Sequence, residues 1–268
     1  MTSRVVGARD PARATATLVA LVTALLVACG SSADTSHGPS GNAVSNTTNL
    51  PPTTVPAPAP TSPPVPSPTG KPAPAAPAVI PPFTAQVTSV TAADLGASYH
   101  VGCPVGPESL RAVALSYWGF DGAPHVGTLV VHVGVVSAVE QVFHKLYDAR
   151  FPIRSMRPTS EFGGSDPASM DADNTSGFNC RNAVATGPPR WSVHAYGQAI
   201  DVNTVENPYV EGGTVMPAAG AAYTDRSRLR PGMAGPGTVL NAAFASVGWA
   251  WGGRWSDPDY QHFSANGG

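Results

Sequence analysis

Between residues 51 and 82 the chain reads PPTTVPAPAPTSPPVPSPTGKPAPAAPAVIPP, which holds about half of its 29 prolines. Proline has no backbone N–H to give to a helix or a sheet ladder, so a run this dense cannot enter regular structure. It carries too few large apolar side chains to bury a core and favours the extended polyproline form. The Ser/Thr/Asn/Gly-rich stretch before it, from residue 30 onward, has the same limitation. Folding is thereby confined to residues 83–268, where the composition is that of a globular domain.

The N-terminus is distinct again. Arg4, Arg9 and Arg13 precede the uncharged run ATATLVALVTALLVA. That run is too short for a comfortable membrane span and has the form of an export signal. Its end, LVAC at 26–29, resembles a bacterial lipobox. The resemblance implies a signal peptide over 1–28, cleavage before Cys29 and lipid on the Cys29 thiol; the plainer alternative is an ordinary signal peptide with an incidental cysteine. Residues 29–82 then form a lipid-anchored linker, and at about 3.1 Å per residue it reaches on the order of 100 Å or more from the membrane. The expected location is outside the cytoplasm, on the cell membrane and facing the wall.

With Cys29 acylated, Cys103 and Cys180 are the remaining cysteines. In an oxidising compartment they are expected to form one disulfide. The alternative, a pair of metal-binding thiolates, lacks the CxxC spacing such sites use. The net charge is −2 and there is no basic run, which argues against a nucleic-acid partner.

Within the domain, GTLVVHVGVV (127–136) is β-branched and reads as a strand buried on both faces. The pattern predicts a helix over 137–149, with Ser137 and Glu140 as a capping box and Val139, Val142, Phe143 and Leu146 on one face. A second helix is expected over 237–249, with Val239, Leu240, Ala243, Phe244 and Val247 on one side. Long Gly/Pro/Asn-rich loops separate short strands. The fold class expected is α+β, a small mixed or antiparallel sheet with flanking helices.

The chemistry concentrates in SVHAYGQAIDVN (192–203). A carboxylate in so apolar a stretch is expensive unless something pairs with it. QAIDV alternates like a strand, with Ala199 and Asp201 on one side and Ile200 and Val202 toward the core. On an unbroken strand, residues seven apart face opposite ways. A bend at Tyr196-Gly197 is therefore needed to bring His194 to the side of Asp201. Such a pair is half of a metal site. WAWGGRWSDPDYQHF (249–263) offers the other half: His262, with Asp259 three residues upstream and Tyr260 on the same strand face as His262.

SxHxxGxAxD followed by DxxHF after a Trp-Gly-rich stretch resembles the zinc D-Ala-D-Ala carboxypeptidase and L-Ala-D-Glu endopeptidase family of peptidoglycan hydrolases, which shares its fold with hedgehog domains. Here the elements are Ser192, His194, Gly197, Ala199 and Asp201, then Asp259, His262 and Phe263. FPIRSM (151–156), NTSGFNCR (174–181), NPY (207–209) and WGGRW (251–255) are similar to a branch common among actinobacterial wall enzymes. The resemblance implies a Zn2+ ion held by His194, Asp201 and His262, with water in the fourth position, and Asp259 as the general base. It also implies an arginine that stabilises the tetrahedral intermediate. Arg181 is the choice, with Arg154 and Arg157 as rivals. Tyr196 and Trp251 are candidate substrate-binding residues, alongside Trp249, Trp255 and Tyr223, each of which packing alone would also explain. Ser192 reads as a turn cap, and His132, in a hydrophobic strand, as a hydrogen-bonded core histidine. The expected activity is hydrolysis of a peptide bond in peptidoglycan stem peptides. The alternative is a zinc-containing lipoprotein that binds the wall without cutting it, as hedgehog domains bind.

Overall fold

The computed structural model describes residues 80–184 and 188–267. The expected signal peptide, Cys29 and all but the last three residues of the linker lie outside them.

A hairpin-based sheet comes first. Strand β1 (Ala85–Ser89) leads through a short helix α1 (Ala92–Leu95) to β2 (Leu110–Trp118), and β3 (Pro124–His132) returns beside β2. All pairings are antiparallel, in the order β1-β2-β3. The predicted strand starts three residues earlier than the apolar run and stops at His132. Residues 133–135 are a 3-10 turn instead, whose first N–H groups are met by the His132 ring: its Nδ1 accepts from Gly134 N–H at 3.0 Å.

Helix α2 (Val136–Asp148) follows, one residue displaced from the expected span. It buries the predicted face, Val139, Val142, Phe143 and Leu146, against that sheet. The capping box does not form. The N-cap position falls on Val135, which has no oxygen to offer, so Ser137 is already inside the helix and accepts from Gln141.

The remaining elements are short. They are β4 (Ser155–Met156), α3 (Asp166–Asp171), β5 (Asn174–Thr175), β6 (Ala199–Asp201), β7 (Tyr209–Glu211), β8 (Thr214–Met216), α4 (Val239–Ala245), β9 (Ala250–Trp251) and β10 (His262–Ser264). β4 pairs parallel with β5, and β7 pairs antiparallel with β8. Helix α4 is shorter than predicted. It buries Leu240, Ala243 and Phe244 but leaves Val239 exposed, because Val239 is its first residue and precedes the packed turn.

The second three-stranded sheet, in the order β6-β10-β9, is antiparallel throughout. Ile200 and Phe263 pair across it and turn into the main core, where Phe263 stacks on Phe244 at 4.1 Å. The α+β architecture is as expected: small sheets, mostly antiparallel, with a few helices beside them. Alternation along β6 and β10 then puts Asp201 and His262 on the face away from that core.

Candidate metal centre and cleft

The register of β6 against β10 sets Asp201 directly opposite His262. His194 arrives from a single 3-10 turn, Val193–Tyr196, that ends on Gly197 with φ +65°. The turn is capped by Ser192, whose Oγ accepts from His194 N–H. It performs the reversal that the spacing of the two residues demanded. Gly197 also packs against β3: His132 N–H donates to its carbonyl at 2.8 Å, and an added Cβ would sit 2.7 Å from that nitrogen.

Three donor groups meet. His194 Nε2 lies 3.2 Å from His262 Nδ1 and 3.2 Å from Asp201 Oδ2, and His262 Nδ1 lies 3.3 Å from Asp201 Oδ1. A tetrahedral ion with bonds of about 2.0–2.1 Å has donor–donor edges of about 3.3 Å. The observed triangle has that size. His194 Nδ1 donates to the Gly177 carbonyl at 2.7 Å, which fixes the tautomer and leaves Nε2 with its lone pair facing the other donors. Gly177 is itself pressed on β3, where a Cβ would collide with the Val130 carbonyl oxygen. All three side chains are buried, and Asp201 Oδ1 accepts no hydrogen bond. A sealed carboxylate oxygen and two imidazole nitrogens turned toward one point are costly unless a cation sits among them. The donor set of two nitrogens and one carboxylate suits zinc.

The three groups also act on one another electrostatically. Burial works against the charge on Asp201, but His194 and His262 outweigh it and hold the carboxyl far below its usual range. Burial likewise opposes a charged His194, and the Asp201 carboxylate overcomes it and lifts the imidazole above its ordinary value.

Asp259 borders the same cleft, with Oδ1 sealed and unpartnered. Its backbone is bracketed from two sides. Asp259 N–H donates to Gly252 O at 3.1 Å, and the β7–β8 hairpin docks beside it through Val210 N–H to Pro258 O and a Tyr209–Asp259 bridge. Burial, followed by the neighbouring Asp201 charge, pushes the Asp259 carboxyl up to about 7.

Arg181 lines the cleft opposite. Its Nη2 is 2.9 Å from the Asp166 carboxylate, at the start of α3, while its Nε is buried without a partner. The backbone around it is held on both sides. Cys180 N–H donates to Ser98 O, Ser192 N–H donates to Arg181 O, and Cys180 is disulfide-bonded to Cys103. The expected pairing of the two cysteines is therefore present, and the thiolate alternative is closed. Arg154 and Arg157 lie elsewhere: Arg154 pairs with Asp173 and covers Phe120, and Arg157 pairs with Glu161 and covers Phe162.

Three sequence expectations are corrected. Tyr196 is the last residue of the 3-10 turn, is exposed, and does not border the cleft; the residue before a left-handed glycine points away from the turn it closes. Trp251 lines a separate cavity, and Trp255 is the tryptophan that borders the cleft, with its ring 5.2 Å from that of His262. Tyr260 does not share a strand face with His262, because β10 begins at His262; the Tyr260 ring instead lies under the Arg226 guanidinium. Sequence reasoning passed over Asp166 and Tyr209. Asp166 carries no motif, and NPY gave Tyr209 as part of a resemblance without a role.

Residues 186–265 match a family model described as D-alanyl-D-alanine carboxypeptidase. The matched segment holds His194, Asp201, Asp259 and His262, so the likeness to a peptidase family falls on the part of the chain that carries the donor cluster. No curated protein and no solved structure matches the chain. Arg181 and Asp166 lie before the matched segment, so the cleft is completed by residues outside it.

Proposed function

We propose that the protein is a zinc-dependent peptidase that hydrolyses a bond in peptidoglycan stem peptides. The observation that carries the proposal is the convergence of His194, Asp201 and His262 at edges of 3.2–3.3 Å, at a cleft lined by His194 and His262 together with Asp259 and Arg181. The match to a peptidase family over 186–265 supports it.

His194, Asp201 and His262 would hold the ion. Zinc bound there supplies positive charge that acidifies water and polarises a carbonyl. Asp259 then takes a proton at Oδ1 from the attacking water and returns it to the leaving amine. A carboxyl held near neutrality by burial is suited to both transfers. The Arg181 guanidinium, fixed by Asp166 and by its stapled backbone, faces the negative charge that develops on the substrate carbonyl. The cleft is narrow, about 150 Å³, and two arginines, Arg181 and Arg190, border it, which suits short stem peptides bearing free carboxylates. The same reading places the domain outside the cytoplasm, tethered through lipid on Cys29, on the strength of the N-terminal sequence.

The test is digestion of purified wall, read by mass spectrometry of the released muropeptides. EDTA is expected to abolish cleavage and added zinc to restore it. Asp259→Ala is expected to keep stoichiometric zinc and lose 10²-fold or more in rate, roughly the share of a general base. Undiminished cleavage after verified metal loss refutes the proposal. If wild type and Asp259→Ala are equally inert on every stem peptide yet both bind wall, the non-enzymatic reading replaces it.

A further inference from the structure

A second cavity, about 420 Å³, adjoins the cleft, within the range of small-ligand sites. Trp255 borders both, so a single indole ring is shared between them. One wall is the exposed side of α4 with the turn before it, including Asn241, Ala242 and Ala245. The other wall is Trp251, Arg254 and Trp255.

The chemistry of this groove is specific. It presents broad indole surface in a rigid setting. Trp251 Nε1 donates to Tyr260 O at 2.9 Å, and its ring stacks on Phe263. Trp255 is 39% exposed, so part of its ring face is open to a ligand. Polar groups stand at the rim. Arg254 is exposed, and Asn241 Oδ1 is occupied by Gly235 N–H and the Thr238 hydroxyl, which leaves its amide N–H₂ without a partner among the described residues. No carboxylate lines it. Flat electron-rich faces with donors at the edge match a sugar ring, whose C–H face is apolar and whose hydroxyl and acetamido oxygens lie at the periphery. An extended peptide fits less well. The nearest sheet edge, β9, is two residues long and too short to add a strand.

We propose that this groove is a glycan subsite, taking an N-acetylated amino-sugar oligosaccharide joined to the peptide in the cleft. This rests on the peptidase reading for the link between the two moieties: a stem peptide hangs from a glycan strand, so a groove that shares Trp255 with the peptide cleft stands where the sugar of a bound stem would reach. Arg254 and Asn241 would bind acetamido or hydroxyl oxygens, and Trp251 and Trp255 the sugar faces.

Full-length protein in detergent is titrated with a peptide-free tetrasaccharide of alternating N-acetylglucosamine and N-acetylmuramic acid, followed by tryptophan fluorescence. Saturable change at millimolar or lower concentration is expected, weakened at least fivefold in Arg254→Ala and in Ala245→Trp, which fills the groove from the exposed side of α4. In parallel, kcat/KM is compared for a disaccharide-linked stem peptide and the same free peptide. A preference for the linked form of tenfold or more is expected, and both variants should cut that ratio at least fivefold. Should neither peptide be cleaved, the peptidase reading fails and the tetrasaccharide titration still decides the subsite. No tetrasaccharide binding, together with equal cleavage of linked and free peptide, overturns the subsite and leaves the peptidase standing. Tighter binding by a synthetic peptide of residues 51–82 than by the saccharide also overturns it, assigning the groove to the chain's own proline-rich segment.

Discussion

Gly197 and Gly163 form a natural pair for testing how His194 is placed. Both close a 3-10 turn in the left-handed conformation, with φ +65° and ψ of 27° and 24°. They differ in surroundings. A Cβ on Gly163 meets nothing within 4 Å, whereas one on Gly197 meets His132 N at 2.7 Å and Leu110 Cδ2 at 2.9 Å. Replacement by alanine imposes the same backbone strain at both, about 1–2 kcal/mol. Reduced freedom of the unfolded chain offsets about 0.4–1 kcal/mol of that. Gly163→Ala is therefore expected to lose about 1 kcal/mol. Gly197→Ala adds overpacking against a backbone that cannot retreat without pulling β3, about 1–3 kcal/mol more. Urea unfolding in EDTA measures the difference, with equal m-values required for a valid comparison. Repeating the melts with zinc reads the site itself. Wild type and Gly163→Ala should gain the same stabilisation from the ion, while Gly197→Ala gains less because its His194 turn is displaced. Equal losses in the two variants, within about 0.5 kcal/mol, and equal zinc effects would refute the idea that the contact with β3 positions the histidine.

Two further expectations follow from features away from the donors. The Cys103–Cys180 bond closes a separation of 77 residues, so replacing both by serine should lower stability by about 4.5 kcal/mol in the chain-entropy treatment, read as a fall in the urea midpoint and absent when wild type is already reduced. Glu206 is buried beside Asp173, and burial, then the Asp173 charge, push its carboxyl from an ordinary 4.5 up to about 7. Between those values the folded protein keeps a proton that the unfolded chain has released, so stability falls as pH rises across that window, by on the order of 3 kcal/mol in all. Glu206→Gln should flatten this slope, and a slope unchanged in the variant would rule Glu206 out as its source.

What could be read in the sequence was whatever depends on near neighbours. The His194–Asp201 half of the donor set was legible because the His194 turn, Gly197 and the β6 alternation all lie within ten residues, and their geometry follows from glycine's left-handed backbone and the period of a strand; His262, far along the chain, was reached through the resemblance of its motif. The helical face of α2 was legible for the same reason. Its start was not, since a cap is decided by where the preceding strand releases the chain; β3 runs into a 3-10 turn capped by the His132 ring, which leaves Val135 at the helix N-cap and Ser137 inside the helix. Asp166 and Tyr209 reach the cleft through pairings across 15 and 50 residues, to Arg181 and Asp259, that no local pattern encodes. The tryptophans show the same limit. Three within seven residues signalled an aromatic surface, but only the register of β9 on β10 separates Trp251, turned to the second cavity, from Trp255, beside His262.

The ion donors and the proposed base are held by different partners. Asp201 and His262 belong to one sheet anchored in the core, whereas Asp259 is bracketed by Gly252, the β7–β8 hairpin and a bond from His262 N–H to its carbonyl. Substitutions along that hairpin can thus shift or retune the proton acceptor with less effect on the three donors. Such modular wiring gives evolution a route to new cleavage preferences, or to a silent binder, without rebuilding the metal grip.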